Sequence, residues 1–276
     1  MSLPARRLTL ADQSAVERLL AAWPLEGAYA YSHLQVDGLG PDGVRGYGCA
    51  AAEGSRDFAA AILAHGGIAW ALWRTPDEAD ALAGVVPRLG VDLLSGPKAL
   101  VAPLVAQLPP GSADHGDHCP LQCITRGALL PAPAGPAHAR AASLADMERL
   151  IDFYIRGFYS LARLPTREAW RVRLTEQLVY RRLYLIEDDE KILAAALSSA
   201  ETPTAAMIGG VATLPSHRNQ GLAGRCVHAL CSGLFASGIQ TIGLFYLPAN
   251  TPAARVYTKL GFTHAGEWWL QHVGWV

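Results

Sequence analysis

The stretch IGGVATLPSHRNQGLAGRCVHAL, residues 208–230, joins an apolar strand to an amphipathic helix through a turn that contains proline, basic side chains and glycines. Such a turn leaves several backbone N–H groups unpaired at the start of the helix, all pointing the same way. Gly221 and Gly224 let an anion approach the backbone without a Cβ in the way, and Arg218 and Arg225 add positive charge. The pattern predicts a binding site for a diphosphate.

Two common nucleotide motifs fit this loop badly. A P-loop ends in Lys-Ser or Lys-Thr, which is missing here, and the glycine spacing differs from the dinucleotide GxGxxG pattern. ATP and NAD are therefore disfavoured as ligands.

The composition favours a globular protein with a small-molecule partner. The chain has 276 residues, 51% of them apolar, and a net charge of -1 from 23 basic and 24 acidic residues. This balance gives no reason to expect nucleic acid or a membrane surface as a partner. The first residues lack the apolar core of a signal peptide, and no apolar run reaches the roughly 18 residues that span a bilayer. A cytoplasmic location with five reduced cysteines is expected.

An internal repeat organises the chain. The segment RRLTLADQSAVERLL at residues 6–20 parallels ARAASLADMERLI at residues 139–151. In each segment a Thr or Ser precedes Leu-Ala-Asp with the spacing of a capping box, and Glu-Arg-Leu follows on a helix. Because the offset is about half of the chain, the repeat predicts a duplicated architecture.

Two stretches rich in Pro, Gly and Ala separate the repeats, at residues 109–118 and 129–139. Both are unsuited to a helix or a central strand. The second is the better linker, because CPLQCITRGAL between them can close the first half as a strand. We predict a first domain at 1–130, a linker at 131–137 and a second domain at 138–276, with the boundary near residue 135.

Strand and helix patterns alternate in both halves. In the second half they predict two helices, a hairpin turning at residues 189–190, and a strand before the glycine loop. A helix to about 237, a strand, a helix at about 251–260 and a final pair of strands follow. The predicted fold class is α/β with an α+β mixed sheet, in two tandem halves whose mostly antiparallel mixed sheets are flanked by helices.

Two motifs in the second half resemble a known family. Arg218-x-x-Gly221-x-Ala223 resembles the acyl-CoA signature of the GNAT N-acetyltransferase superfamily, and VATLP before it resembles the strand that binds pantetheine. NTPAARVYTKLGF, residues 250–262, resembles a second segment of that family. The resemblance covers about residues 137–276, and the first half only by arrangement. It implies two tandem GNAT-like halves and acetyl-CoA as co-substrate.

The resemblance also implies roles for individual residues. Residues of the strand would pair with the pantetheine arm, and residues of the loop would hold the pyrophosphate. Asn250 would bond to the pantetheine arm, and the Tyr257 hydroxyl would donate a proton to the departing CoA thiolate. The strand residues are Val211, Ala212 and Thr213, and the loop residues are Arg218, Asn219, Gln220, Gly221, Leu222, Ala223 and Gly224.

Direct transfer also needs a base or a water chain, because an ammonium must lose its proton before its nitrogen attacks. Glu201, at the end of a strand, is the candidate base, and its alternative is a solvated carboxylate in a surface turn. Tyr257 has the alternative of a packed helix residue. Tyr154 and Tyr159 are candidates for the acceptor pocket, with core packing as the alternative.

No metal is expected. The densest set of ligand types has a spacing that matches no standard zinc pattern and is more typical of a polar turn. It consists of Asp114, His115, Asp117, His118, Cys119 and Cys123. Cys226 and Cys231 are interpreted as buried small apolar groups.

The first half is expected to be a degenerate GNAT-like domain that packs on the active one. After its strand GGIAWALWR comes TPDEAD, at the place where the second half has its glycine loop. Pro76 removes one N–H, and three carboxylates would repel a pyrophosphate from this helix end.

Together these features predict an acetyl-CoA-dependent N-acetyltransferase in which a primary amine, that of a small molecule, attacks directly. The alternative is a non-catalytic CoA-binding or sensing protein with the GNAT fold. The acyl chain and the acceptor stay open, and a homodimer is compatible with the sequence.

Overall fold

A computed structural model describes residues 3–157, 166–188 and 191–274, except the side chain of Asp114. The chain divides into two compact units. The first unit consists of Met1–Leu121, Phe245–Ala249 and His264–Val276, and the second of Gln122–Leu244 and Asn250–Thr263. The units therefore place two C-terminal segments with the first half of the chain. The domain boundary at 131–137 stays a prediction.

The strands and α-helices follow one another along both units. The strands are β1 (Arg6–Arg7), β2 (Arg45–Ala50), β3 (Phe58–His65), β4 (Ile68–Leu72), β5 (Leu93–Pro97), β6 (Ala113–Thr125), β7 (Arg140–Ala141), β8 (Leu183–Glu187), β9 (Ile192–Glu201), β10 (Ala205–Thr213), β11 (Thr241–Phe245) and β12 (Thr263–Val273). The helices are α1 (Gln13–Ala21), α2 (Ala28–Asp37), α3 (Pro76–Ala83), α4 (Lys98–Val105), α5 (Met147–Gly157), α6 (Arg167–Tyr180), α7 (Leu222–Ala236) and α8 (Thr251–Lys259). No helix among the described residues is long and apolar enough to span a bilayer.

Both units repeat one sheet pattern. In the first unit the order is β1-β2-β3-β4-β5-β12, antiparallel except for the parallel pair β4/β5. In the second unit the order is β7-β8-β9-β10-β11, antiparallel except for the parallel pair β10/β11. The predicted class, two tandem mixed sheets that are mostly antiparallel and flanked by helices, is confirmed.

The repeated segments also share their local structure. In each, a Thr or Ser and an Asp form a capping box around a short 3₁₀ turn that precedes the first helix. Arg6 on β1 pairs with Asp12 at 2.6 Å, and Arg140 on β7 pairs with Asp146 at 2.8 Å. The capping boxes predicted from Leu-Ala-Asp are therefore present in both units.

Helices cover both faces of the first sheet. Along β3 the side chains alternate, so that Ile62 faces a core with α3 and α4, whereas Leu63 faces a core with α1 and α2. In the second unit, α5 and α6 pack against β8, β9 and β10 around buried residues such as Leu150 and Trp170. Burial on both faces explains the nearly continuous apolar sequence of the central strands.

Two sequence expectations about strands are wrong. Residues 113–118, interpreted as part of a loop, belong to β6, where Gln271 of β12 donates from Nε2 to the carbonyl of His115 at 3.0 Å. The expected final pair of strands is the single strand β12. Both errors concern a strand whose bonding partners lie far away in sequence.

Candidate active site

The glycine loop connects β10 to α7. After β10, residues Pro215–His217 form a 3₁₀ turn, and α7 begins at Leu222. Asn219 and Gly221 have φ values of 63° and 74°, in the left-handed region that favours Gly and tolerates Asn. Residues 218–221 are exposed, so solutes can reach this loop.

Backbone amides converge at the start of α7. The first helical bond of the segment runs from Arg225 N to Gly221 O at 3.1 Å. In the described part of the chain, the amides of residues 219–224 have no hydrogen-bond acceptor. Free amides at a positive helix end make a binding site for an anion. These amides favour the diphosphate site predicted from the sequence, which stays a prediction.

The two arginines of the loop have different surroundings. Arg218 is exposed, whereas Arg225 is only 8% exposed. Arg225 donates from Nη1 to Ala134 O at 2.9 Å and from Nη2 to Gln220 O at 3.3 Å. Its guanidinium thus joins two carbonyls, one of them in the loop, and the expectation that its charge serves the phosphate stays a prediction.

Residues 133–135 of the predicted linker lie on the glycine loop. A Cβ at Gly221 would be 3.2 Å from Pro133 Cβ, and a Cβ at Gly224 would be 2.8 Å from Pro133 Cγ. A Cβ at Gly135 would overlap Arg225 Nη1. Sequence reasoning missed this contact, although three glycines permit it.

Strand β10 changes its pairing just before the loop. Its parallel pairing with β11 is found as far as Ile208 and Leu244, whereas β10 continues to Thr213. Its register with β9 shifts at Met207/Ile208 and again between Gly209 and Ala212. The predicted pantetheine residues Val211, Ala212 and Thr213 lie in this half-buried continuation.

Helix α5 supports the irregular part of β10. Tyr154 is buried and its hydroxyl donates to Gly210 O at 3.2 Å. Burial raises the pKa of Tyr154, which therefore stays protonated at neutral pH. The Tyr154 ring stacks on Trp170 at 5.1 Å, in agreement with the core alternative for this residue. Tyr159 lies outside the described residues.

Helix α8 brings the second motif to the loop. Val256 Cγ1 is 3.8 Å from the place of a Cβ at Gly224, so α8 lies beside the first turn of α7. Asn250 caps α8, with Oδ1 accepting from Ala253 N at 3.3 Å. Tyr257 is buried, and its ring centroid is 5.9 Å from that of Phe262. Asn250 thus has a structural role here, and its contact with pantetheine stays a prediction.

Glu201 lies at the other end of β10. Its backbone pairs with Ala206 of β10. Ala206 comes seven residues before Thr213, so Glu201 lies about 23 Å along the strand from the end of β10 that leads into the loop. Its carboxylate forms an ion pair with Arg182 and accepts from the Ser198 hydroxyl. Both partners of the carboxylate lie away from the loop end of β10, and the catalytic role of Glu201 stays a prediction without structural support.

Cysteines of α7 are no candidate nucleophiles. Burial raises the pKa of both Cys226 and Cys231 to about 12, so their thiols stay protonated. Burial also lowers the pKa of His228 in the same helix. The interpretation of the two cysteines as buried apolar groups agrees with these surroundings.

The residues around His115 are dispersed. His115 stacks on His272 at 4.5 Å, and His118 stacks on Trp269 at 3.8 Å. Residues three apart on a strand point to opposite faces. Among the described side chains of residues 113–125, no three ligand atoms come together as a metal site requires.

The strand pattern, the β10/β11 divergence and the amide-lined loop are features of an α/β fold of the GNAT type. Residues 187–270 match the family model described as FR47-like protein. This segment contains both motifs, and the expected resemblance to the GNAT superfamily is confirmed, whereas the degeneracy of the first half stays a prediction. No curated protein matches the chain in sequence.

Solved structures share this fold at low identity. An acetyltransferase from the GNAT family of Colwellia psychrerythraea has a TM-score of 0.66 at 12% identity, covering 99% of this chain and 100% of that one. A tandem GNAT protein from the clavulanic acid biosynthesis pathway has a TM-score of 0.62 at 13% identity, covering 98% and 97%. A putative GNAT acetyltransferase of Novosphingobium aromaticivorans has a TM-score of 0.57 at 21% identity, covering 90% and 97%. These likenesses show the tandem GNAT fold.

Proposed function

We propose that the chain is an acetyl-CoA-dependent N-acetyltransferase that acetylates a primary amine of a small molecule. The observation that carries the proposal is the run of unpaired amides at residues 219–224, of which residues 219–221 are exposed, after a strand that continues past its parallel partner. The loop amides would donate to a diphosphate, and β10 beyond Ile208, where its pairing with β11 ends, would offer backbone groups to an extended arm. The FR47-like match over residues 187–270 supports the same function.

The proposed reaction is direct transfer. The amine nitrogen attacks the thioester carbonyl carbon, a C–N bond forms and the C–S bond breaks. Backbone N–H groups of β10 stabilise the oxygen that becomes negative, and the Tyr257 hydroxyl gives its proton to the CoA thiolate. Because Glu201 is held by Arg182, we assign removal of the amine protons to water, which returns one proton to the Tyr257 oxygen after transfer.

The loop assignment is tested by calorimetric titration of acetyl-CoA. Asn219→Asp keeps the side-chain size and the tolerance for a positive φ, and it adds one negative charge to the loop. We expect wild type to bind about one equivalent and Asn219→Asp to bind at least about tenfold more weakly, a loss of about 1.4 kcal/mol. The control Gln240→Glu adds the same charge at an exposed residue beyond the other end of α7 and should bind like wild type.

Two outcomes would contradict the loop assignment. Absence of binding by wild type would remove the acetyl-CoA site. Equal binding by wild type and Asn219→Asp would place the site away from the loop. Two equivalents would instead contradict the degeneracy of the first half.

A non-catalytic CoA-binding protein is the second candidate, favoured by the ion pair with Arg182 that engages Glu201, the carboxylate predicted as the base. Release of free CoA thiol in the presence of a panel of amines separates the two. For an enzyme, Tyr257→Phe should lower kcat by about 10²–10⁴ with little change in acetyl-CoA affinity. Binding without transfer to any amine would favour the second candidate.

The near-neutral net charge supports the proposal that neither nucleic acid nor a membrane is a partner. We also propose a cytoplasmic location on the basis of the composition. A homodimer stays an open expectation.

A further inference from the structure

A cluster of two histidines and one aspartate lies in the first unit, outside the proposed acetyl-CoA site. His33 and Asp37 are four residues apart and therefore share one face of α2, and His65 ends β3. Within the described side chains, this is the one group of three or more His, Cys, Asp or Glu ligand atoms that all lie within 4.8 Å of one another. It could not be predicted from the sequence, because His65 is distant along the chain from His33 and Asp37.

The ligand atoms are spaced as a metal ion requires. Asp37 Oδ2 lies 3.2 Å from His65 Nε2 and 3.7 Å from His33 Nδ1. Tetrahedral ligands at roughly 2.0–2.1 Å from a zinc ion are about 3.4 Å apart. The two Asp37 distances are close to this spacing, and all three ligand atoms lie within 4.8 Å of one another, so rotation of the side chains can bring them around one ion.

The surroundings favour a cation. Helix α2 ends at Asp37, and Gly38, with a φ of 66°, donates its N–H to Leu34 O. The negative end of the helix dipole is therefore beside the cluster. The three side chains are 20%, 32% and 28% exposed for His33, Asp37 and His65, so an ion can enter and keep water ligands.

The two imidazole rings stack face to face. His33 stacks on His65 with the ring centroids 4.4 Å apart and on Trp70 with the centroids 5.5 Å apart. Because each nitrogen lone pair lies in the plane of its ring, at least one of the stacked rings must turn before both imidazoles point at one ion.

From this cluster we propose that His33, Asp37 and His65 bind a divalent transition-metal ion, with Zn²⁺ as the best match. Two imidazoles and one carboxylate are borderline ligands of the kind that zinc prefers, and three protein ligands leave a position open to water. The ion joins the end of α2 to the end of β3. The half of the chain that lacks a glycine loop thus carries a ligand site of its own, independent of the proposed acetyl-CoA site.

The test uses the full chain after dialysis against a chelator. Titration with Co²⁺ should produce visible d–d absorption bands that saturate at one equivalent, and Zn²⁺ should abolish them by displacement. Calorimetry with Zn²⁺ should give the same stoichiometry. Absence of both the bands and the heat of Zn²⁺ binding would overturn the proposal.

Variants locate the ion. Asp37 and His65 are partly exposed, and Asp37→Asn and His65→Gln replace each side chain by one of similar size. Each variant should lower Zn²⁺ affinity at least about tenfold while far-UV circular dichroism stays unchanged. His272→Gln is the matched control, because His272 stacks on His115 with nearly the same geometry in the same unit. Wild-type affinity in both cluster variants, or an equal loss in the control, would also overturn the proposal.

Discussion

At the scale of single residues, the glycines near the loop have two physical reasons to be glycine. Gly221 has a positive φ and exposes the backbone to an anion, and it also lies against Pro133. Gly224 and Gly135 are in close contact with Pro133 and Arg225, respectively. The linker and the loop are therefore one packed structure, so a loop variant that adds a side chain at Gly221 would test both roles at once.

Gly135→Ala should be more destabilising than its backbone conformation alone explains. The new Cβ would force the Arg225 guanidinium away from Ala134 O, leaving a buried charged donor without its partner, at a cost of about 1–3 kcal/mol. Gly238→Ala is the control, because Gly238 also has a positive φ but no atom within 4 Å of the new Cβ. Urea denaturation should show a larger loss of unfolding free energy for Gly135→Ala, and equal losses would contradict the contact.

The site could be foreseen from the sequence only where it is local. The loop and its helix lie within residues 208–230, so the proline, the glycines and the helix start could be recognised together. The partners of Arg225 and Glu201 could not, because Ala134 and Arg182 are brought to them by packing and by strand register. Roles that depend on charge therefore needed the structure.

At the scale of elements, the strand–turn–helix at the start of each unit contains the same ion pair, between an Arg on the strand and the Asp of the capping box. Asp12 accepts from Thr9 N at 2.8 Å and pairs with Arg6, and the pairing with Arg6 lowers the pKa of Asp12 to about 2. Asp146 pairs with both Arg140 and Arg149, and its pKa is also well below its usual range, chiefly because of Arg140. The ionised carboxylate holds the strand to the cap of the helix.

Asp12→Asn should lower the unfolding free energy at pH 7 by about 1 kcal/mol, because Arg6 is half exposed and solvent weakens the pair. Asp146→Asn should cost more, because its carboxylate is 5% exposed and has two arginine partners. A lowered folded-state pKa stabilises above the unfolded pKa, and the contribution is lost as the pH falls. For Asp12 the loss should occur between about pH 4 and about pH 2.

Urea denaturation of both variants at pH 7 and at pH 3 checks this sign. The control is Asp57→Asn, which removes an exposed pair with Arg18 and should change stability by less than about 0.5 kcal/mol. If the loss of unfolding free energy in the Asp12 or Asp146 variant, relative to wild type, grew as the pH fell, the proposed dependence of stability on these carboxylates would be contradicted.

Elements with local signals were predicted well, and elements with distant partners were not. The bounds expected for α7 and α8 agree with the structure, since caps and periodicity lie in the helices themselves. In contrast, β6 contains Gly116 and Pro120 and forms beside β12, about 150 residues later in the sequence. Local sequence propensity cannot predict a strand whose partner is so distant in the sequence.

At the scale of the whole molecule, the two units use the same helix position differently. In the first unit, α3 follows β4 as α7 follows β10, but Glu78 closes its start by accepting from Arg74 N at 2.7 Å and from Thr75 N at 3.0 Å. In the first unit a carboxylate thus accepts hydrogen bonds from the amides before the helix, whereas the amides at residues 219–224 of the second unit have no acceptor among the described residues. This arrangement supports, on physical grounds, the prediction that a single unit binds acetyl-CoA.

The first unit also takes its strand β12 from the other end of the chain. Strand β12 pairs with β5 from Trp268 opposite Pro97 to His272 opposite Leu93. Trp268 is fully buried and donates from Nε1 to Ser95 Oγ at 2.9 Å. Its ring stacks on Phe245 with the centroids 5.3 Å apart. Residues 1–130 alone would therefore expose the edge of β5 and lose the aromatic ring that covers it.

A fragment of residues 1–130 should consequently show no cooperative urea transition by circular dichroism. Adding a peptide of residues 263–276 should restore one, because it supplies β12 and the Trp268 ring, whose truncation in a core costs about 3–5 kcal/mol. The same peptide with Trp268→Ala is the matched control and should fail. If the fragment unfolds cooperatively with equal stability with and without the peptide, the first half folds without β12. That strand would then not contribute to the stability of the first unit.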